Sequence, residues 1–431
     1  MKKNLLILFC FLTMQLSAQK YILDSILPIH GHLINHEANT FKFASESPYF
    51  KFFFEQIDSV YEGKKRNIHI FHIGGSHIQA DIYSNKLRSY LQNTNEMSMA
   101  QRGFVFPFRL AHTNNPTNYL VSANRSKWKG YRSSVLKDST AWGLSGVTAA
   151  LRENSDTIYI KANHKNQTKK QYYFDKLRIF YNTWQDNYQI RFLDSTLVFS
   201  DTLNTDFYYK EYSFNKALDS VAINFQTKDS LNTNAEFLLM GLELMNSEPG
   251  IQYTSIGVNG GSFAYYSRSA YFEKQLQLYK PDLFIISIGT NDGYVTKSNF
   301  DAEKFREYYE NFTQMIQRIN PQCAILLTVP NDVFYRKKYA NPNTATQQKI
   351  ITELTQKYQM AVWDFYEIMG GLGSSNKWYR SKLMSSDRIH FTNLGYQIKG
   401  DLLLEAFINA WADSVGRDKE TLLQHYQNLY E

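Results

Sequence analysis

Cysteine is nearly absent from this chain, with two in 431 residues. Cys10 lies in an apolar N-terminal run, and Ile7-Leu8-Phe9 before it lacks the pattern of a lipoprotein cleavage site. Once that run is removed, Cys323 stands alone, so an intrachain disulfide is excluded and thiol–metal chemistry has no second thiol. Long hydrophobic runs are also missing. The only strongly apolar stretch, Leu5 to Leu12, is too short to span a bilayer, and no later segment is apolar enough to try. Blocks of like charge are few and short. Lys64-Lys65-Arg66 and Lys169-Lys170 read as solvated loop charges, and no nucleic-acid motif accompanies them.

What is present is a large globular chain. Hydrophobic residues make up 43% and aromatics 16%, which supplies a sizeable core for one large domain with an insertion, or for two domains. The N-terminus reads as a secretory signal over residues 1–18. Lys2 and Lys3 form the charged start, and Leu16-Ser17-Ala18 ends in small residues, with Gln19 first after cleavage. The expected location is therefore periplasmic or extracellular. The formal charge of +7 loses two units with Lys2 and Lys3, and the mild surplus suits an anionic polymer.

Periodicity divides the remainder. Tyr49 to Tyr61 carries apolar residues at helical spacing. Ile68 to Ile73 is a buried-strand run, followed by a helical pattern over His77 to Leu91. From 105 to 248 the pattern changes to short strands separated by Asn, Asp, Ser and Thr clusters. Thr157–Lys161, Leu177–Tyr181, Tyr188–Phe192, Thr196–Phe199, Val221–Phe225 and Phe237–Leu244 predict a β-sandwich or jelly roll. After Pro249-Gly250, strands at Gln252–Val258, Asp282–Ser287, Ala324–Val329 and Ala361–Phe365 alternate with helices at Ser262–Leu278, Ala302–Ile319, Thr344–Tyr358 and Leu394–Ala410. Alternation of this kind predicts a parallel sheet covered on both faces. The expected organisation is an α/β domain in two pieces, 19–104 and 249–412, with the β module between them and a polar helix or tail over 413–431.

Four segments carry the candidate chemistry. Gly74-Gly75-Ser76-His77 places a serine at a strand end and helix start, where its own N–H is free to face a developing anion. An ordinary N-cap serine would look the same. Gly257-Val258-Asn259-Gly260-Gly261 offers backbone N–H groups with no side chain in the way. Gly289-Thr290-Asn291-Asp292 offers a side-chain amide, although an Asx turn has the same composition. In Asp387-Arg388-Ile389-His390, the three-residue spacing lets the carboxylate accept from Nδ1 and leaves Nε2 to take a serine proton.

These blocks, in this order, resemble the SGNH (GDSL-type) hydrolases over residues 67–104 and 250–412. The family's serine, glycine, asparagine and histidine fall on Ser76, Gly260, Asn291 and His390, with Asp387 in the acid position of the triad. The resemblance implies a flavodoxin-like three-layer α/β/α domain. It also implies an oxyanion hole of Ser76, Gly260 and Asn291, with no cofactor and no metal. One departure is Gly75, where the family shows aspartate; its effect on the loop is left to the structure. Within the family the chain is most similar to the peptidoglycan O-acetylesterase branch. Ser76-His77, the inserted module, Gly241, the rejoining Pro249-Gly250-Ile251 and Ser255-Ile256-Gly257 segments, Gly370-Gly371 and Trp378 carry that similarity.

The expected function is removal of O-acetyl groups from a carbohydrate polymer. A lipase, thioesterase or sugar O-acetyltransferase on the same triad, or a non-catalytic sugar binder, remains open at this level. His77, Arg102 and Trp142 are candidates for substrate contact, as is Trp184 for stacking on sugar. His69, His72 and His77 lack a metal-ligand motif, and a three-residue step along a strand points His69 and His72 to opposite faces.

Overall fold

The computed structural model describes residues 27–45, 47–165 and 170–430. The signal segment expected over 1–18 lies outside the described residues. The central sheet has six strands in the order 41–43, 361–363, 324–328, 283–287, 67–74, 250–257. All neighbours are parallel except the edge pair of Phe41–Phe43 and Ala361–Trp363. Numbered along the chain, the five parallel strands lie in the order 2-1-3-4-5, the flavodoxin-like arrangement.

Alternation along each strand sorts side chains onto two faces. Ile68, Ile70, Leu283, Ile285, Ala324 and Leu326 pack into one cluster, covered by the helices Pro48–Tyr61, Tyr83–Leu91 and Asn393–Val415. Phe71, Ile73, Phe284, Ile286, Ile325 and Leu327 face the other way, under the helices Ala302–Ile319 and Asn343–Lys357. Each fully buried Ile, Leu or Phe contributes about 1.5–3 kcal/mol of transfer free energy, and these two faces supply the layers. Caps set the helix limits. Asp301 accepts from the Lys304 N–H at 2.9 Å, Thr392 accepts from the Gly395 N–H at 3.2 Å, and Gly416 ends the long helix in the left-handed region at φ 71°.

Residues 103–245 build two antiparallel sheets, of seven and four strands, that form the inserted β module. Its core is continuous with one face of the central sheet. The first module strand, Gly103–Val105, pairs with Phe237–Met245, so the expected junction at 104/105 falls inside a strand. Sequence patterning missed Leu120–Ser122, Trp128–Arg132, Val147–Leu151, Tyr209–Leu218 and the edge strand Phe41–Phe43. Tyr209–Leu218 (YKEYSFNKAL) is rich in polar residues and has only two buried positions, which hides it from a periodicity reading.

Two expected helices are broken. His77–Leu91 is Ser76–Gln79 followed by Tyr83–Leu91, because Asp81 takes φ 48°. Its buried carboxylate accepts from Ser84, Arg88, Asn118 and Ser255, and that set of bonds holds the turn. Ser262–Leu278 is Phe263–Tyr266 followed by Phe272–Leu276. Between the two, Arg268 donates to the Ser133, Val135 and Asp138 carbonyls of the module, and the Tyr271 N–H goes to the Trp142 carbonyl. Docking to the module thus interrupts the helix.

Candidate active site

Strand order builds the site. The Asn67–Gly74 strand lies between Gly250–Gly257 and Leu283–Ser287. Ser76 therefore emerges between the loop carrying Gly260 and the turn carrying Asn291. In open parallel sheets this reversal of strand order opens a crevice at the carboxyl ends. The crevice is a cleft of about 510 Å³, lined by Ser76, Gly260, Asn291 and His390 among others.

Ser76 Oγ lies 2.7 Å from His390 Nε2, and His390 Nδ1 lies 2.8 Å from Asp387 Oδ2. The other carboxylate oxygen, Oδ1, accepts from the Ser385 hydroxyl at 2.6 Å and from the N–H groups of Ile389 at 2.8 Å and His390 at 3.0 Å. Partial burial works against the Asp387 charge. The bonds from His390, Ser385 and the two backbone N–H groups outweigh it and hold the carboxyl well below its usual range. The turn itself depends on Arg388 at φ 54°, whose guanidinium sits over the rings of Phe334 and Tyr379. Asn331 donates to the Ile389 carbonyl at 3.2 Å from the neighbouring loop.

The donors opposite the triad come from three loops. Val258 to Gly261 is a tight turn closed by the Gly261 N–H to the Val258 carbonyl at 2.7 Å, with Gly260 at φ 77°. That value fits the third position of a type II turn, where glycine is at home. Asn291 lies in the first turn of the short helix Thr290–Gly293, and one hydrogen of its amide goes to the Gly261 carbonyl at 2.8 Å. The second amide hydrogen remains for the cleft. Neither the Ser76 nor the Gly260 N–H donates to a protein acceptor among the described residues.

Gly75 has a negative φ of −86°, so its backbone does not require glycine. What it provides is room. A Cβ there would sit 3.2 Å from the Asn291 amide nitrogen and 3.3 Å from the Gly261 carbonyl oxygen. The missing side chain leaves Asn291 and the Gly260 loop packed against the nucleophile turn.

Of the residues read as substrate contacts, three are placed elsewhere. His77 is buried behind the triad, its ring 5.3 Å from that of His390 and its Nδ1 2.8 Å from the Tyr396 hydroxyl. Burial, with Lys399 and His390 nearby, pushes its pKa well down and keeps it neutral. Arg102 is buried at the module junction, bonded to Asn118 and set between the rings of Tyr119 and Tyr172. Trp142 is buried under the Arg268 guanidinium. Each is held by packing that the sequence does not display. Trp184 is 47% exposed, but it packs edge-on against Tyr208 and at a tilt to Tyr271 and does not line the cleft. His69 bonds to the Tyr279 carbonyl, and His72 is held between the Tyr253 and Ser287 hydroxyls. Among the described residues, no three His, Cys, Asp or Glu side chains gather as metal ligands would.

Two positions escaped sequence reasoning. Gln79 accepts from the Asn259 N–H at 2.7 Å and donates to the Asn114 carbonyl at 2.8 Å, so it ties the Gly260 loop to the module. Its only signal was an amide on the buried face of a short helix. Asp292 accepts from the Phe263 N–H at 3.1 Å, while its other oxygen is buried without a partner. Burial raises its pKa to about 7. A carboxyl raised in the folded state favours folding below its unfolded pKa of about 3.9, and that advantage is lost as pH rises towards 7. Melting temperature should therefore fall in the parent between pH 5 and 8. It should fall less in Asp292→Asn, whose side chain does not ionise. Parallel melting curves across that range would refute this assignment.

The GDSL-like lipase/acylhydrolase family model matches residues 219–398. That span holds Gly260, Asn291, Asp387 and His390, whereas Ser76 lies before the inserted module. No curated protein matches the chain. A solved structure of a peptidoglycan O-acetylesterase in action shares the fold, with a TM-score of 0.68 at 18% identity over 86% of this chain and 99% of that one. An acetyl xylan esterase (TM-score 0.30, 21% identity, 36% of this chain and 81% of that one) overlaps too little to argue from. The same holds for an acetylxylan esterase from Geobacillus stearothermophilus (TM-score 0.28, 16% identity, 39% and 74%).

Proposed function

The chain is a member of the GDSL-like lipase/acylhydrolase family and a carboxylic ester hydrolase, and from that premise we propose that it is an exported esterase removing O-acetyl groups from a carbohydrate polymer, peptidoglycan first among them. The observation that carries the reading is the Ser76–His390–Asp387 chain of hydrogen bonds at 2.7 and 2.8 Å, opening into a cleft with Gly260 and Asn291.

The chemistry follows from those contacts. Ser76 Oγ attacks the ester carbonyl while His390 Nε2 takes its proton. The tetrahedral oxyanion is held by the Ser76 and Gly260 N–H groups and the free Asn291 amide hydrogen. Asp387 fixes the His390 tautomer and stabilises the imidazolium. Collapse breaks the bond to the sugar oxygen, which leaves with the proton from His390. Water, deprotonated by His390, then releases acetate and regenerates Ser76. No step calls for a metal or cofactor.

The lining favours a short acyl group on a sugar. Asn114, Asn259 and Asn291 supply polar side chains and Tyr294 and Tyr396 supply rings, and among the described lining residues Ala80 and Ile389 are the aliphatic ones. Polar groups beside aromatic rings suit sugar hydroxyls and ring faces. Export is supported by the N-terminal sequence, and no helix among the described residues is long and apolar enough to cross a membrane.

Acetate release from O-acetylated peptidoglycan and acetylated xylan, measured beside nitrophenyl esters of increasing chain length, tests the proposal. The expected profile is acetate release from the glycan and a steep fall in rate beyond butyrate. Rates that rise with chain length would favour a lipase, and transfer to an added sugar would favour an acetyltransferase.

A further inference from the structure

A second cavity, of about 410 Å³, opens on the β module beside the catalytic cleft. Asn114 lines both. The shared wall is pinned from two sides: the Thr113 hydroxyl accepts from the Asn259 amide at 2.7 Å, and the Asn114 carbonyl accepts from the Gln79 amide at 2.8 Å. The groove therefore neighbours the cleft across a wall that includes Asn114.

Its charged lining has one sign. Arg109, Arg125 and Lys165 contribute to it with His112 and His164, and no carboxylate lines it among the described residues. Backbone carbonyls hold the two arginines. Arg109 donates to the Val121 carbonyl at 3.4 Å, and Arg125 donates to the Arg109 carbonyl at 3.1 Å. Neither these arginines nor Lys165 has an ion-pair partner among the described residues. Unpaired cations lining a concavity focus a positive field, and guanidinium groups match carboxylates through paired N–H donors.

We propose that this groove is a subsite for carboxylates carried by the polymer whose acetyl ester sits at Ser76, so that the substrate class is an anionic glycan. The position of the ester rests on the esterase reading; the anion site does not. The carboxylate could belong to a sugar unit or to a peptide attached to it, and the test has an arm for each.

Calorimetry at low salt would measure binding of unacetylated oligosaccharides, with sugar-borne or peptide-borne carboxylates, each compared with its amidated form. The parent should bind at least one free acid roughly fivefold or more tightly than its amide, as a few exposed ion pairs allow. The arm showing the preference names the source. In R109Q/R125Q, or in about 0.5 M salt, the ratio should approach one. Should that variant fail to fold, Lys165→Gln and the salt titration of the parent supply the same readout. Equal affinity for acid and amide in the parent overturns the inference, as does a preference that persists in the folded variant. The two readings fail separately. Tight binding of the free acid by a chain that hydrolyses no acetyl ester removes the esterase. Hydrolysis of acidic and neutral acetylated glycans with equal KM removes the groove.

Discussion

Ser76→Ala should lower kcat/KM for acetyl esters by about 10⁴- to 10⁶-fold while leaving the fold intact, since members of a triad act as a unit. The reason is local. Ser76 Oγ is the hydroxyl held 2.7 Å from His390 Nε2. The Ser134 hydroxyl beside Gly260 is already engaged, donating to the Asn259 carbonyl at 2.6 Å. Removing Oγ breaks one part-buried hydrogen bond, worth about 1 kcal/mol, so melting should shift by only a few degrees. Steady-state hydrolysis of nitrophenyl acetate and of acetylated glycan, with a thermal melt as control, checks both halves. A folded variant that retains even a tenth of the parent's activity would remove Ser76 from the mechanism.

Asp387→Asn should cost about 10³- to 10⁴-fold in kcat with little change in KM. Three donors converge on Oδ1: the Ser385 hydroxyl and the N–H groups of Ile389 and His390. An asparagine must therefore keep its carbonyl oxygen there and turn its NH2 towards His390 Nδ1. Facing a donor, Nδ1 can only accept, which moves the ring proton to Nε2. A protonated Nε2 cannot take the Ser76 proton. The variant is nearly isosteric and keeps the three bonds of the turn, so the loss is one of tautomer rather than of folding. Kinetics across pH would show the deficit at every pH where the parent is active. A kcat within tenfold of the parent's would mean that Asp387 does not set the tautomer of His390.

The parallel sheet was legible because β-rich, largely buried runs alternate with helical patterns. Ala324–Thr328 is buried on both faces, as is Ile70–Gly74, and a parallel strand between helix layers reads that way. The candidate site residues were legible for a different reason. Gly74 to His77, Gly257 to Gly261, Gly289 to Asp292 and Asp387 to His390 each combine turn-forming residues with a chemical group after a strand or before a helix. What stayed hidden depends on contacts between distant segments. The break at Asp81 answers to Arg88, Asn118 and Ser255, which a helical pattern over 77–91 cannot register. Arg102 follows the first helix where the module begins, a place open to a pocket or a junction role, and Asp81, Asn118 and two tyrosine rings surround it in the junction.

The amino-acid sequence by itself determined the alternation of strands and helices, the place of the β module between the two α/β pieces, and the chemical groups at each strand end. These are local properties, expressed in spacing and residue type. Tertiary structure alone decided that the Ser76 strand lies between those leading to Gly260 and Asn291. It also turned His77 to the back of the triad and set the groove of Arg109 and Arg125 beside the cleft, with Asn114 lining both. Strand neighbours and module docking follow from burying faces hundreds of residues apart. No local pattern records which buried face meets which.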